Sequence, residues 1–360
     1  MKNKINNLQL ASIFFLLLFS CTLGILPYVL IRFNGIDAYI SVLIGIIIGI
    51  LPMIIILYIF NYDIDKPILE KTKIIFGKVL GNIINIILIL LYTAIAATML
   101  FNISNFIISQ YLTNTPITLV ITIFGLTALY TSNKGINTIS KISLIYLICI
   151  IILFILALIG LIPEIKLDNL KPIMEFGFKK PLLGGFIYTI IFLSPANMLL
   201  LIPKNDIENN KKTTKYLIIT YLITSIMIFI IALVTSSVLG KYLLQFYQYP
   251  TYITLKRISV FGFIDRIENF LSIEWILSSF IIITMAIYGI NSSIKENSSK
   301  IFNFSIVIII IILTKTIFKN NTYFSNFLTS YYIYILLVME VIYLVIFIII
   351  FIKKCIKKKN

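Results

Sequence analysis

The sequence predicts an all-α polytopic membrane protein of about ten transmembrane helices, built as a five-plus-five inverted repeat with broken helices 1 and 6. The first observation is composition: 60% of the 360 residues are hydrophobic and 12% are charged, with mean hydropathy +1.05, which is typical of no soluble class. The second is the number of apolar segments long enough to cross a bilayer. The third is that two of these segments carry polar interruptions at corresponding positions of the two halves.

The apolar segments define the predicted spans in chain order. The first five are 8–31, 38–60, 80–108, 116–131 and 142–162, and the second five are 182–203, 216–240, 270–290, 301–318 and 328–352. They predict one integral membrane domain over 1–360, with a first repeat at about 8–162, a second at about 182–352 and a basic tail at 353–360. The first segment is too long for a cleaved signal peptide, and no small-residue cleavage site follows it, so we expect it to remain as a span.

The distribution of Lys and Arg predicts the orientation. If the N-terminus is cytoplasmic, the connections on that side carry 19 of the 30 basic residues and the opposite side carries 11. Cytoplasmic connections of membrane proteins are enriched in basic residues. The bias therefore predicts an even number of spans with both termini in the cytoplasm.

The first and sixth spans are the two interrupted helices. Span one reads FFLLLFSCTLGILPY and span six reads FLSPANMLLLIP. A proline inside a helix costs about 3 kcal/mol relative to alanine, and in lipid each freed backbone group needs another partner. Free amides at half-helix N-termini suit a carboxylate, and free carbonyls suit an ammonium group. The breaks predict a mid-membrane site for a small amino-acid-like ligand, lined by Ser20, Cys21, Thr22, Gly24, Ser194, Pro195, Ala196 and Asn197.

Further polar residues lie inside other spans. Span three contributes the candidate ligand-binding residues Tyr92, Thr93 and Thr98, and span eight contributes Thr284 and Tyr288, which are four residues apart and share a helix face. Small polar residues also serve plain helix packing in membranes, and that alternative stays open at all of these positions. Glu340 lies in the middle of span ten, where an acid is costly. It is either a proton- or ligand-coupled carboxylate, or an acid that is paired or protonated, with Lys315 as one conceivable partner.

Several classes of function are excluded by residues that the chain lacks. There is no histidine, so Ser-His-Asp triads, Cys-His dyads and histidine metal sites are absent. The three cysteines, Cys21, Cys149 and Cys355, are far apart in sequence and indicate no disulfide or metal site. No phosphate-binding glycine motif and no basic patch with interleaved aromatics is present. We expect no enzyme activity, no cofactor, no metal and no nucleic-acid partner.

The stretch 247–275, YQYPTYITLKRISVFGFIDRIENFLSIEW, resembles a signature of the B subunits of GerA-type bacterial spore germinant receptors. The matching positions are Tyr249, Pro250, Lys256, Arg257, Gly262, Phe263, Arg266, Glu268 and Trp275. INNLQLASIFF at 5–15, with Gln9, and GIDAYISVLIG at 35–45 resemble two further motifs of that spore germination permease-like family. The resemblance extends over essentially the whole chain.

The resemblance implies the fold of the amino acid–polyamine–organocation (APC) transporter superfamily, also called LeuT-like. It implies a germinant-sensing subunit in the spore inner membrane that binds a small nutrient, such as an amino acid, between helices 1, 3, 6 and 8. The implied partners are an A-type subunit, a lipoprotein C-type subunit and the bilayer. A proton-coupled amino acid or polyamine permease is the alternative, because sensing and transport need the same pocket.

Spans one and six each depart from the family pattern. In span one, Ser20 and Thr22 occupy places where the family has glycines, and in span six Asn197 is nearest to a position where it often has an acid. The 7–8 connection is expected to form a lateral helix, in which Tyr249, Pro250, Arg257, Arg266 and Glu268 fix the loop or contact a subunit. Glu274, beside Trp275, is expected at the membrane interface.

Overall fold

A computed structural model describes residues 4–22, 24–175, 177–258, 267–292 and 300–359. Its α-helices, numbered in chain order, are α1 Asn7–Phe19, α2 Leu26–Asn34, α3 Ala38–Ile48, α4 Ile50–Phe60, α5 Ile68–Phe76, α6 Lys78–Gln110, α7 Ile117–Asn133, α8 Ile136–Leu161, α9 Lys179–Leu193, α10 Thr213–Phe246, α11 Pro250–Leu255, α12 Ile267–Leu271, α13 Ile273–Ser292, α14 Lys300–Ile317, α15 Asn321–Phe327 and α16 Ile333–Lys359. Short 3₁₀ segments lie at Ser20–Thr22, Gly35–Asp37, Ile162–Glu164, Leu167–Leu170, Pro195–Leu201 and Lys204–Asp206, and a π-helical turn at Leu328–Tyr332.

The helices account for every predicted span. In the described residues, seven helical stretches are long and apolar enough to cross a membrane, and three shorter apolar helices lie between them. Large apolar side chains such as Ile47, Ile145 and Ile159 point outward and are more than half exposed, which is stable against lipid but costly in water. The predicted all-α membrane fold is confirmed.

Spans one and six are both broken where the sequence predicts. In span one, α1 ends at Phe19, the 3₁₀ turn Ser20–Thr22 follows, and α2 begins at Leu26. Gly24 has a φ of +66°, a left-handed conformation that favours glycine. In span six, α9 ends at Leu193 and a 3₁₀ segment runs from Pro195 to Leu201. The first break separates the half-helices α1 and α2, and the second ends α9 in a 3₁₀ segment inside the bundle.

The connections gather at two ends of the bundle. At the first, which we call the basic end, the Ile5 amide bonds to the Asp206 carbonyl at 3.0 Å, and Lys353 Nζ donates to the Ile75 carbonyl at 2.8 Å. The chain termini and the 2–3 and 6–7 connections therefore lie together. At the opposite end, the Met174 amide donates to Asp37 Oδ1 at 3.0 Å, and Asn169 Nδ2 donates to the Ser237 carbonyl at 2.7 Å.

The N-terminus of α1 shows why Gln9 matters to the local fold. Asn6 Oδ1 accepts a bond from the Gln9 amide at 2.8 Å, and Gln9 Oε1 accepts one from the Asn6 amide at 2.9 Å. This reciprocal pair is a capping box, which satisfies two helix-end donors. Asn7 then bonds to Thr213, whose hydroxyl donates to Asn7 Oδ1 at 2.7 Å. The N-terminal segment is thereby attached to the start of α10.

Some segments differ from the sequence expectation. The 2–3 connection contains the helix α5, which packs against α6 and buries Lys71 to 2% exposure. Lys71 Nζ donates to the Ile59 carbonyl at 3.0 Å, so its charge meets the C-terminal end of α4, where a cation is favourable. Span seven is predicted to end at residue 240. The helix α10 bends at Gly240 but continues to Phe246. The expected lateral helix lies partly outside the described residues, at 259–266.

Candidate functional site

The break in span one directs its polar side chains to its own backbone. The Ser20 hydroxyl donates to the Leu17 carbonyl at 2.7 Å, and the Thr22 hydroxyl donates to the Phe19 carbonyl at 2.7 Å. These carbonyls belong to the last turn of α1, which lacks helical donors where the helix stops. The two hydroxyls therefore stabilise the break, and their oxygens keep acceptor capacity toward the interior.

The break in span six is linked to the first break by a cysteine. Pro195 has no N–H, so it cannot bond to the Ile191 carbonyl four residues earlier. The Cys21 thiol instead lies 3.5 Å from the Ile191 oxygen and donates to it. The 3₁₀ segment Pro195–Leu201 also packs directly against α1. The two interrupted helices therefore meet at their broken positions, and all eight candidate residues at the breaks are buried.

Glu340 of α16 is hydrogen-bonded to the break in span six. Its Oε1 accepts from Asn197 Nδ2 at 3.0 Å and lies 2.9 Å from the Ser194 hydroxyl. No ion pair involves Glu340 in the described part of the chain, and Lys315 is exposed on α14. The sequence left open whether this acid is paired with a cation or held by neutral groups. The structure shows hydrogen bonds to the neutral side chains of Ser194 and Asn197.

The span-three candidates occupy different surroundings. The Tyr92 hydroxyl lies 2.6 Å from that of Tyr343, one turn beyond Glu340 on α16. Thr93 and Thr98 donate to the carbonyls four residues earlier, at 2.8 Å each. Tyr92 therefore ties α6 to α16, while both threonine hydroxyl protons are used within α6.

Span eight packs against both breaks. Helix α13 contacts the 3₁₀ turn Ser20–Thr22 and the 3₁₀ segment Pro195–Leu201. Thr284 is fully buried on α13 and donates to the Phe280 carbonyl at 2.7 Å, and Tyr288 is partly buried one turn later. The breaks and α13 thus form one contact region, and a ligand-binding role of the individual candidates stays a prediction.

Two of the buried polar atoms that have no hydrogen-bond partner among the described residues concern the breaks. They are Asn197 Oδ1, in the span-six break, and the Tyr332 hydroxyl, in the π-helical turn that precedes α16. The π turn packs against α2, the second half of span one. An unpaired buried polar atom costs about 1–3 kcal/mol, so these atoms are free to gain from a polar ligand. Tyr332 could not be predicted as a candidate, because hydrophobic periodicity does not reveal a π turn.

The 7–8 connection covers the first break. Tyr249 is buried, its hydroxyl accepts from Asn105 Nδ2 at 2.8 Å, and its ring lies so close to Gly24 that a methyl group there would overlap it. Pro250 is also buried, at the first turn of α11. A bulky residue at Gly24 would therefore disturb this packing as well as the backbone, which makes Gly24 a poor probe of ligand binding.

The remaining candidates in this connection differ in accessibility. Arg257 is exposed and Glu268 is buried on α12, whereas Arg266 lies outside the described residues. Phe106 of α6 packs edge-on against Tyr249, Tyr252 and Trp275, with ring centroids 5.1–5.8 Å apart. Three residues of the signature stretch thus form one aromatic cluster with α6, which the sequence did not predict.

Two cavities approach the first break from the opposite end. An open vestibule of about 570 Å³ is lined by Tyr28, Arg32, Gln248 and Asn321, among others. A smaller apolar cavity of about 30 Å³ reaches Thr22 and Pro27 between α2, α3 and α10. Tyr249 contacts Gly24, and Asn105 Nδ2 donates both to its hydroxyl and to Asn321, which lines the vestibule.

Comparison with known proteins identifies relatives of this chain. A family model described as "Spore germination protein" matches residues 4–324. Spore germination protein KB of Bacillus subtilis (strain 168) is 23% identical over 292 residues, covering 79% of this chain and 78% of the relative. Spore germination protein YndE of the same organism is 24% identical over 266 residues, covering 72% and 71%.

The fold has a solved counterpart. It is similar to Mhp1, a nucleobase-cation-symport-1 family transporter solved in a closed conformation with bromovinylhydantoin bound. The TM-score is 0.66 at 14% identity, and the match covers 91% of this chain and 75% of the transporter. At that identity the likeness concerns the fold alone, and it confirms the APC-type architecture with interrupted helices 1 and 6. The family match over nearly the whole chain gives the assignment: this chain belongs to the spore germination protein family.

Proposed function

We propose that this chain is the germinant-sensing membrane subunit of a spore germination receptor, which binds a small amino-acid-like nutrient at the two helix breaks. The observation that carries the proposal is the meeting of the breaks: Cys21 bonds to the backbone of span six, while Asn197 Oδ1 stays without a partner among the described residues. Such a pair of interrupted helices offers backbone groups and side-chain amides to a polar ligand inside an otherwise apolar bundle.

The names of the relatives support a role in germination, and the fold of Mhp1 supports a small-molecule site. In the proposed arrangement the nutrient reaches the breaks through the vestibule and displaces or passes Tyr249. The protein would act in the spore inner membrane, with both termini cytoplasmic, together with an A-type subunit and a lipoprotein C-type subunit. Arg257, exposed on the 7–8 connection, is available for such a contact.

A proton-coupled permease is the second candidate, and Glu340 favours it. A carboxyl group bonded to a broken helix can take up a proton as a ligand binds or leaves, which is what coupled transport requires. The same bond could equally transmit ligand binding to α16 in a receptor. Measurement of both activities separates the candidates.

The test compares germination and uptake in one strain. The chromosomal gene is deleted and replaced by wild type or by Asn197→Ala, and spores are exposed to a panel of amino acids. We expect spores with Asn197→Ala to need at least about tenfold more nutrient. The variant loses a side-chain amide that can hydrogen-bond to the ligand, and about 1.4 kcal/mol of binding free energy corresponds to a factor of ten in affinity. Asn85→Ala is the control, because Asn85 is a buried amide of α6 whose hydrogen bonds run to Thr72 and Leu69 of α5 and not to the breaks.

Radiolabelled uptake into membrane vesicles is measured beside it. Saturable uptake that depends on this chain, with germination unchanged on its deletion, would contradict the receptor and establish the permease. A dose–response of Asn197→Ala equal to wild type, at equal protein level, would place the nutrient elsewhere.

A further inference from the structure

A third cavity lies away from the breaks, among α8, α10, α11 and α13. It measures about 40 Å³ and is lined mostly by apolar side chains such as Leu158 and Val234. Three of the polar residues that line it are Thr251 of α11 and the neighbours Glu274 and Trp275 of α13. Glu274 lies in the first turn of α13, and its side chain is buried inside the bundle. Its expected position at the membrane interface stays a prediction.

All three polar residues are more than nine-tenths buried, with exposures of 4% for Thr251, 6% for Glu274 and 2% for Trp275. Thr251 Oγ1, Glu274 Oε2 and Trp275 Nε1 have no hydrogen-bond partner in the portion of the chain that the structure describes. Native proteins rarely leave buried polar atoms unsatisfied, and three at one small cavity are costly. The missing partner therefore belongs in the cavity.

The chemistry of the three atoms restricts that partner. The indole N–H of Trp275 can only donate, the Glu274 carboxylate accepts, and the Thr251 hydroxyl does either. The partner must thus both donate and accept hydrogen bonds. Burial in an apolar cavity disfavours the ionised form of Glu274 unless a positive charge lies beside it, so a cationic group on the partner would stabilise the carboxylate. A bare metal cation fits poorly, because hard cations take six or more oxygen ligands and this wall is largely hydrocarbon.

We propose that this cavity is a binding site for a small zwitterionic amino acid, separate from the site at the helix breaks. Glu274 accepts from the ligand ammonium group, and Trp275 Nε1 and the Thr251 hydroxyl donate to the ligand carboxylate. The cavity is larger than the space of about 10–15 Å³ that one water needs, and its small size favours glycine, the smallest amino acid.

The cavity is placed to influence the first break. Thr251, Ile231 and Thr235 line both this cavity and the smaller one that reaches Thr22. Trp275 also belongs to the aromatic cluster through Phe106, which packs against Tyr249 over Gly24. A molecule bound in this cavity would therefore contact residues that also line the cavity at Thr22 in the first break. This binding site does not depend on the proposed function.

Equilibrium binding of radiolabelled glycine to the full chain in lipid nanodiscs tests the site. We expect Glu274→Gln to weaken glycine binding at least tenfold and Thr251→Val, which keeps the volume, to weaken it several-fold. Glu268→Gln is the matched control, a buried acid on α12 that does not line the cavity, and should bind as wild type. Methylammonium and acetate, each with half of the ligand's charges, should compete at least tenfold more weakly than unlabelled glycine.

Thermal unfolding of each variant accompanies the binding curves. Because Gln replaces an unpaired acid at equal volume, Glu274→Gln should unfold no lower than wild type. Asn197→Ala in the same assay separates the two proposals: it should leave the Glu274-dependent glycine component intact even where it abolishes the germination response. Glycine binding that is unaffected by Glu274→Gln and Thr251→Val, or no glycine binding by wild type at all, would overturn the second site and assign water to the cavity.

Discussion

At the residue scale, the surroundings of Glu340 indicate which protonation state this conformation holds. The Ser194 hydroxyl lies 2.7 Å from the Ile190 carbonyl and 2.9 Å from Glu340 Oε1, but a hydroxyl has one proton to donate. If Glu340 carries a proton on Oε1, it donates to Ser194, and Ser194 donates to Ile190. Both short contacts then contain a hydrogen. If Glu340 were ionised, the single Ser194 proton could fill only one of the two contacts. The other contact would then hold two oxygens with no hydrogen between them.

The neutral acid can be imitated by an amide. We expect Glu340→Gln to fold and to keep its bonds to Ser194 and Asn197, because glutamine also offers a donor and an acceptor. The other titratable side chains near it are Tyr343 and Tyr92, which bond to each other one turn away. The pH dependence of the nutrient response between pH 5 and 9 should therefore flatten in this variant. A Glu340→Gln response that titrates as wild type would show that Glu340 carries no coupled proton.

At the scale of elements, the crossing of α3 and α9 is formed by glycines rather than by the apolar pattern alone. A methyl group on Gly185 would overlap Ile44, and one on Gly45 would overlap the Tyr188 ring. The Thr189 hydroxyl donates to the Gly45 carbonyl at 3.0 Å across this contact. Close approach through small residues and a hydroxyl bond is how helices associate in lipid, where apolar burial alone gives little.

Enlarging one of these glycines should weaken the crossing. We expect Gly185→Ala to lower the free energy of unfolding by about 1–3 kcal/mol, the usual cost of overpacking, as measured by thermal unfolding of the purified protein. Gly125→Ala is the control: it is a helical glycine of α7 whose added methyl would make contacts of 3.3 Å or longer with Ile311 and Val307. Equal stability of the two variants would mean that α3 and α9 can separate slightly at no cost.

At the scale of the whole molecule, apolar segments and broken helices could be predicted, and contacts between distant segments could not. The ten spans follow from hydrophobic length, and both breaks follow from Pro195 and from the small residues before Pro27. The link from Glu340 to Ser194 joins residues 146 positions apart, and that from Tyr249 to Asn105 joins residues 144 apart. Such partners depend on how the helices pack, which periodicity within one helix does not encode.

The orientation of the bundle is also a whole-molecule property, and three native cysteines can report it. Cys355 is exposed at the basic end on α16, Cys149 is exposed on the apolar surface of α8, and Cys21 is buried at the first break. Only a thiol that reaches water forms the reactive thiolate. If both termini are cytoplasmic, a membrane-impermeant maleimide should label no native cysteine of intact cells and should label Cys355 after permeabilisation.

An added cysteine supplies the matched control for that experiment. Asp168 lies at the opposite end with a side chain 91% exposed, so Asp168→Cys should be labelled in intact cells. Cys355→Ser should remove the signal that permeabilisation reveals, because lipid shields Cys149 and packing shields Cys21. The positive-inside bias, the shared location of the termini and the 6–7 connection, and the proposed approach of nutrient through the Arg32 vestibule all require this pattern. Labelling of Cys355 in intact cells, with none at Asp168→Cys, would invert the bundle and place the vestibule on the cytoplasmic side.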